Sequence, residues 1–266
     1  MVRPELLKLL EMEDFHWPEN AEAIILRGLA DQALENRSLA VQLTSGAVTD
    51  SIARQLVRLA REDGDHDLRC DALGALGDAL QNFVFDDTGG LGGLSDDGEE
   101  WLDGELQTIF RDPTTPEPVR VAALCAASRS TKEWIDDELR RAYQTGDERW
   151  MVAALDGMSY REDFDAQVLA ALDHDSPSVR VAAIDACAVA QVEASLPRLI
   201  RFARDETLDP MQRVAAVAAL GLFDTPEIEA VLEQLRRDPN VEIADVAAVA
   251  LQELEITRSM AHEEDE

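Results

Sequence analysis

The residues most able to bind a metal or move a proton are four histidines, His16, His66, His174 and His262, and they stand far apart in the chain. No His-x-x-x-His or Cys-x-x-Cys pair accompanies them, so the ligand spacing of a zinc site is missing. His66 and His174 fall in equivalent turns between helical segments, where a solvated turn residue is a sufficient account. Asp63-x-Asp65-x-Asp67 opens like a calcium loop, whose alternate carboxylates converge on a hard cation. It fails further on, with Leu68 where glycine is required and Gly74 where the bidentate glutamate belongs. The glycines at 89, 90, 92 and 93 loosely resemble a phosphate cradle, but no Gly-Lys-Ser/Thr follows and no Gly-x-Gly-x-x-Gly joins a strand to a helix. A Gly-x-Ser-x-Gly nucleophile elbow is also absent. Asp156 and Asp185 lie inside apolar runs; a buried carboxylate in a cleft would be an acid–base candidate, and an exposed one only surface. Cys70, Cys125 and Cys187 are isolated in apolar helical stretches and read as buried free thiols of a reducing compartment. These residues yield no catalytic, cofactor-binding or metal site, and the expectation is a protein that is not an enzyme and carries no cofactor.

The elements that would position any site are clearer. Residues 173–187 run Asp-His-Asp-Ser-Pro-Ser-Val-Arg-Val-Ala-Ala-Ile-Asp-Ala-Cys. Asp173 or Asp175 can cap the helix that follows, and Pro177 suits its first turn. Ala182, Ala183 and Ala186 allow a neighbouring helix to approach closely. Aligned on Arg180, the stretch recurs at Arg37, Arg69, Arg120, Met151, Arg213 and Ala244, in steps of 32, 51, 31, 29, 33 and 31 residues. An insertion explains the step of 51. Two and three places after each anchor stand small or apolar residues such as Ala122-Ala123, Ala153-Ala154 and Ala215-Ala216. Helices this narrow cannot bury enough surface alone and need neighbours of the same kind. The implied fold is all-α, an α-solenoid (superhelix) of about seven antiparallel helical hairpins.

The pattern Asp-x-x-Pro-x-Val-Arg-x-Ala-Ala-x-x-Ala-Leu-Gly resembles the HEAT repeat, especially the short HEAT-like repeats of the bilin-lyase type, best over residues 112–127, 173–187 and 209–221. The resemblance implies an Arg ladder, in which Arg69, Arg120, Arg180 and Arg213 bond from repeat to repeat, with gaps at Met151 and Ala244. It also implies that Asp156 and Asp185 occupy an exposed acidic position.

Charge narrows the partners. Asp plus Glu number 55 against 24 Lys plus Arg, a formal net charge of −31, and only Lys8 and Lys132 are lysines. Acidic, lysine-poor surfaces of this sort resemble those of proteins from cells that hold molar salt, where a Debye length of roughly 3 Å at ~1 M screens self-repulsion. The same charge disfavours nucleic-acid binding, which draws on Lys and Arg to neutralise phosphate. No stretch has the length and apolarity of a membrane span, and the N-terminus lacks the pattern of a signal peptide, so the expected location is cytoplasmic.

Three regions follow: an N-terminal capping helix at 1–18, the repeat array at 19–256 with an insertion loop at 81–100, and an acidic, frayed tail at 257–266. In the loop, five glycines and many carboxylates argue against a regular helix. Phe83–Phe85 are expected to pack on the array, with Asp86–Gly98 free for a partner or cation. Ser130 and Glu133 read as a capping box for the fourth hairpin. The functional expectation is a non-catalytic scaffold that binds another protein on the solenoid surface. Trp150, Tyr160, Asp86, Asp87, Asp96 and Asp97 are the candidate contacts. The alternatives are an accessory factor or subunit in bilin-type cofactor attachment and, disfavoured by charge, a DNA-glycosylase-like repeat protein.

Overall fold

The computed structural model describes residues 2–10, 17–44, 48–84 and 92–264, with backbone alone for residues 10, 257 and 259–264. Among the described residues there are fifteen α-helices and no strand. They are α1 (Arg3–Leu10), α2 (Ala21–Leu29), α3 (Leu34–Gln42), α4 (Asp50–Glu62), α5 (His66–Val84), α6 (Asp96–Arg111), α7 (Glu117–Ala127), α8 (Trp134–Gln144), α9 (Glu148–Met158), α10 (Asp165–Ala171), α11 (Pro177–Val189), α12 (Leu196–Arg204), α13 (Pro210–Leu220), α14 (Pro226–Leu235) and α15 (Val241–Glu264). The architecture is an all-α solenoid. It divides into two compact units, Met1–Glu138 and Leu139–Glu266.

In the first unit the hairpins are α2–α3, α4–α5 and α6–α7, and each second helix packs on the next, α3 on α5 and α5 on α7. Helix α1 covers the open end of α2 and α3 with Leu6 and Leu9, both buried. Small residues set the close approaches. A Cβ on Gly77 of α5 would stand 3.0 Å from the Cα of Ala126 on α7.

The insertion is not the loop expected from its composition. Helix α5 runs on through Val84 and α6 begins at Asp96, so much of the extra length is helix. Glycine is tolerated at the start of α6 because Ser95 caps it, its hydroxyl accepting the Gly98 N–H at 3.0 Å. Ser95 is in turn clasped by Asp50, the first residue of α4. Its N–H donates to Asp50 Oδ1 at 3.0 Å and its hydroxyl to Oδ2 at 2.6 Å. These bonds hold the Asp50 carboxyl below its usual value, and a Cβ on Gly98 would meet Asp50 Oδ1 at 2.1 Å. Asp96 and Asp97 therefore lie on an exposed first helical turn, where they complement the helix dipole, and not on a free loop. Phe83 is half-buried and Val84 exposed; Phe85, Asp86 and Asp87 lie outside the described residues.

The second unit holds α9 and the hairpins α10–α11, α12–α13 and α14–α15. Its second helices α9, α11, α13 and α15 lie side by side in that order. Polar contacts fix their register. At their starts, the Glu148 carboxyl is held low by the hydroxyls of Ser178 and then Ser176, and Arg180 Nε donates to Gln212 Oε1 at 2.7 Å. At their ends, Gln191 Nε2 donates to the Leu222 carbonyl at 3.0 Å. A Cβ on Gly221 would stand 2.7 Å from the Cβ of Ala250. Gly221 and Ala250 hold the same places relative to their anchors as Gly77 and Ala126, so one rule of small against small serves both units.

Three local expectations are corrected. Helix α11 is capped by Ser176, not by Asp173 or Asp175; Asp173 instead faces Arg198 and Arg201. Ser130 does not head a capping box, since α8 starts only at Trp134; its hydroxyl donates to Asp103 and accepts the Lys132 N–H. The tail is not frayed from residue 257, because α15 continues to Glu264, with Arg258 bonded to Asp224 and Glu229.

Candidate binding surface

The residues singled out for metal chemistry serve the turns. Asp63 Oδ1 accepts the Asp65 N–H and Asp65 Oδ1 accepts the Leu68 N–H, so these carboxylates face the backbone at the start of α5 and do not converge on a cation. His174 Nδ1 accepts the Ser176 N–H at 3.0 Å, and His66 is exposed at the first residue of α5. His16 lies outside the described residues, and His262 is described by its backbone only. Among the described residues no group of three or more His, Cys, Asp or Glu side chains is placed to hold a metal ion. The three cysteines are free thiols. Burial pushes the Cys187 thiol up to about 11 and raises that of Cys70, which makes both poor nucleophiles at neutral pH. A cleft of roughly 360 Å³ opens in the first unit beside Leu29, Asp31, Arg37, Leu59 and Asp63. Its charges answer one another: Arg37 pairs with Asp63 at 2.8 Å, and the Asp31 carboxyl accepts the Ala33 N–H.

That turn chemistry recurs. Asp31, Asp63, Asp112, Asp205 and Asp238 each accept the N–H two residues on, and His174 does the same through its ring. The arginines then bridge turns. Arg69 Nε donates to the Ala60 carbonyl, Arg120 Nε to Phe110 and Arg213 Nε to Ala203, each closing the end of the first helix of its own hairpin. Arg180 reaches the carbonyls of His174 and Asp175 as well as Gln212. Arg37 and Arg213 bond to the turn aspartate of the following hairpin, Asp63 and Asp238. The turn aspartates were not legible as a set, because their distance to the anchor varies with turn length.

Asp156 and Asp185 occupy equivalent places on α9 and α11. Asp156 is half-buried and Asp185 exposed, yet neighbouring atoms strip part of the hydration of Asp185. That desolvation, and then the charge of Asp156, raise its carboxyl above the ordinary 3.8. A carboxyl raised by folding adds stability below its unfolded pKa and loses it as pH rises through the folded value. Asp185→Asn is therefore expected to be more stable than the parent at pH 7, by ~0.5 kcal/mol given its exposure, with the gain fading toward pH 3. Urea titrations at both pH values test this, and a gain that grows on acidification would overturn it. Of the two aromatic candidates, Trp150 lies half-buried in the first turn of α9 and Tyr160 is 37% exposed just past its end.

The outward face of the second helices in this unit has a composition of its own. On α13 the exposed residues Met211 and Ala218 share one helix face, and the exposed Leu222 stands in the turn just past its end, all without a charge. Arg213 points inward and is buried. Beside it, α11 presents Asp185 and Val189, and α15 presents Glu242, Asp245 and Val249. Met211 is 72% exposed, Leu222 50%, Val249 53% and Val189 47%. The result is an apolar centre with carboxylates on both flanks.

Comparison with known proteins finds a likeness over part of this unit. Residues 166–254 match the family described as HEAT repeats. That segment is similar to HEAT repeats. The match covers α11 and α13 whole and most of α15, so the apolar centre and its carboxylates lie within the matched residues. The match is to the repeat, not to the bilin-lyase subtype. Two curated relatives are both named deoxyhypusine hydroxylase. The Drosophila melanogaster protein is 37% identical over 57 residues, 21% of this chain and 19% of its own length. The Drosophila pseudoobscura pseudoobscura protein is 36% identical over 61 residues, 23% of this chain and 20% of its own. The match thus spans about a fifth of the length of these relatives. Among solved structures, Escherichia coli YibA aligns over 95% of this chain and 92% of its own at 14% identity and a TM-score of 0.46. Human deoxyhypusine hydroxylase in complex with glycerol aligns over 88% and 95% at 18% identity and a TM-score of 0.40.

These relatives overturn two expectations drawn from the sequence, that of a non-catalytic scaffold and that of a protein that is not an enzyme. Both rested on missing catalytic motifs, whereas the sequence kinship runs to proteins named as enzymes. Among the described residues no helix is long and apolar enough to cross a membrane.

Proposed function

We propose that this chain is a HEAT-repeat enzyme of the hydroxylase kind, acting on a cationic substrate in the cytoplasm of a salt-rich cell. The observation that carries the reading is the 37% identity over 57 residues to a protein named deoxyhypusine hydroxylase. The charge supports the substrate class: at −31 the surface attracts cations and repels polyanions. It supports the setting as well, since dense carboxylates with two lysines are tolerated best where salt screens them. Hydroxylation by dioxygen turns a C–H bond into C–OH, releases water and consumes an external reductant. The described residues offer no metal centre, so no step is assigned to one; the HEAT repeats are assigned substrate binding.

The test is direct. The purified chain is incubated with lysine-rich peptides, dioxygen and a chemical reductant, with and without added divalent transition metals, and the peptides are weighed by mass spectrometry. A gain of one oxygen atom that depends on the protein is expected. Peptides that bind yet gain no oxygen in any mixture would remove the hydroxylase reading.

A further inference from the structure

We propose that the outward face of α11, α13 and α15 is a docking surface for a basic amphipathic helix. It would seat the apolar stripe of that helix on Met211, Leu222 and Val249, and its flanking Lys or Arg residues against Asp185 and Asp245. The inference deepens the functional reading above by naming where a cationic polypeptide substrate rests.

Shape and charge argue for it together. Met211 and Ala218 lie on one face of α13, seven residues and about 10 Å apart at the rise of an α-helix, and Leu222 follows in the turn just past its end. Two turns of α13 and the turn that follows it thus offer anchors at the spacing a docked helix uses. The polar contacts between Arg180 and Gln212 and between Gln191 and Leu222 hold α11 and α13 in fixed register, so the surface exists before any partner arrives. Gly221 against Ala250 keeps α15 equally close. Met211, Leu222 and Val249 are each at least half exposed, and α13 packs directly beside α11 and α15.

The charge selects the occupant. A second copy of this chain, with 55 acidic against 24 basic residues, would set mostly carboxylates in direct contact with Asp185 and Asp245, where salt screens least. An acidic or neutral segment would leave Asp185 and Asp245 facing an apolar or like-charged surface. A basic amphipathic helix answers both features, because its cationic residues border its apolar stripe. Asp185 fits the role for another reason: its hydration is already thinned by its neighbours, so an arriving ammonium displaces little more water from it.

The test uses the full chain and a labelled model peptide of leucine and lysine patterned as an amphipathic helix, with a scrambled peptide of identical composition as control. Fluorescence anisotropy should show the patterned peptide bound at least ~10-fold more tightly than the scrambled one, about 1.4 kcal/mol. Met211→Ser with Leu222→Ser should remove that preference. Asp185→Asn with Asp245→Asn should weaken both peptides and reduce the salt dependence. All four side chains are exposed, so circular dichroism should show the parent helix content. Equal binding of patterned and scrambled peptides, or a serine pair that leaves the preference intact, would overturn the docking surface. The two readings separate cleanly. Oxygen gain that ignores the serine pair sinks the docking surface alone, and patterned binding without oxygen gain sinks the hydroxylase reading alone.

Discussion

Gly77→Val and Gly221→Val are each expected to lose about 2–3 kcal/mol of stability through overpacking, the largest effects foreseen for exchanges of one apolar residue for another. At position 77 the first added carbon already stands 3.0 Å from the Ala126 Cα, a backbone atom that moves only if α7 moves. At position 221 it stands 2.7 Å from the Ala250 Cβ and 3.2 Å from the Ala250 Cα. Valine adds two further carbons, so the helices must separate and their contacts are lost together. The control lies on the same helix as Gly77. A Cβ at Gly74 meets nothing within 4 Å, so Gly74→Ala should add roughly 0.5–1 kcal/mol through helix propensity alone. Urea unfolding followed by circular dichroism measures all three. Valine variants as stable as the parent would show that close contact between second helices does not set the stack.

Asp238→Ala should cost about 3–5 kcal/mol, because it strands a buried cation. Arg213 Nη2 lies 2.6 Å from Asp238 Oδ2, with side-chain exposures of 6% and 8%. The same carboxylate accepts the Asn240 N–H, so its loss also opens the turn before α15. Arg58 and Glu62 are the comparison: 68% and 67% exposed, a pair whose removal should change stability by no more than ~0.5 kcal/mol. Adding Arg213→Met to Asp238→Ala should recover part of the loss, since nothing charged then remains to be solvated. A double variant weaker than Asp238→Ala by the full cost of a second deletion would show that Arg213 matters for the Ala203 carbonyl and not for the pair.

The sequence revealed the fold through its anchors. Arg37 to Ala244 recur with alanines behind them, and each anchor stands near the start of a second helix. The caps at Thr225 and Ser95 show what pattern can and cannot give. Thr225-Pro226 announces its helix, while Ser95 is followed by Asp-Asp-Gly, a run that reads as loop. What overrules it is Asp50, forty-five residues upstream, and no local rule contains that contact. The docking surface was illegible for a similar reason. Met211 and Val249 each fit an ordinary helix and Leu222 an ordinary turn, and only the packing of α13 beside α11 and α15 brings their elements together. Function was misjudged because missing motifs were counted as evidence against catalysis, whereas the sequence kinship runs to proteins named as enzymes.

The order of the second helices bears on how this unit would yield to force. Helix α13 rests on α11 through polar bonds, and α15 rests on α13 through the close contact of Gly221 with Ala250. Tension along such a row is carried in series, so the weakest joint decides the load at which the first hairpin leaves. Its departure uncovers one new face and leaves the remaining joints closed. Pulled in this way, the unit would lengthen in steps of one hairpin, and an exchange such as Gly221→Val would choose which step comes first.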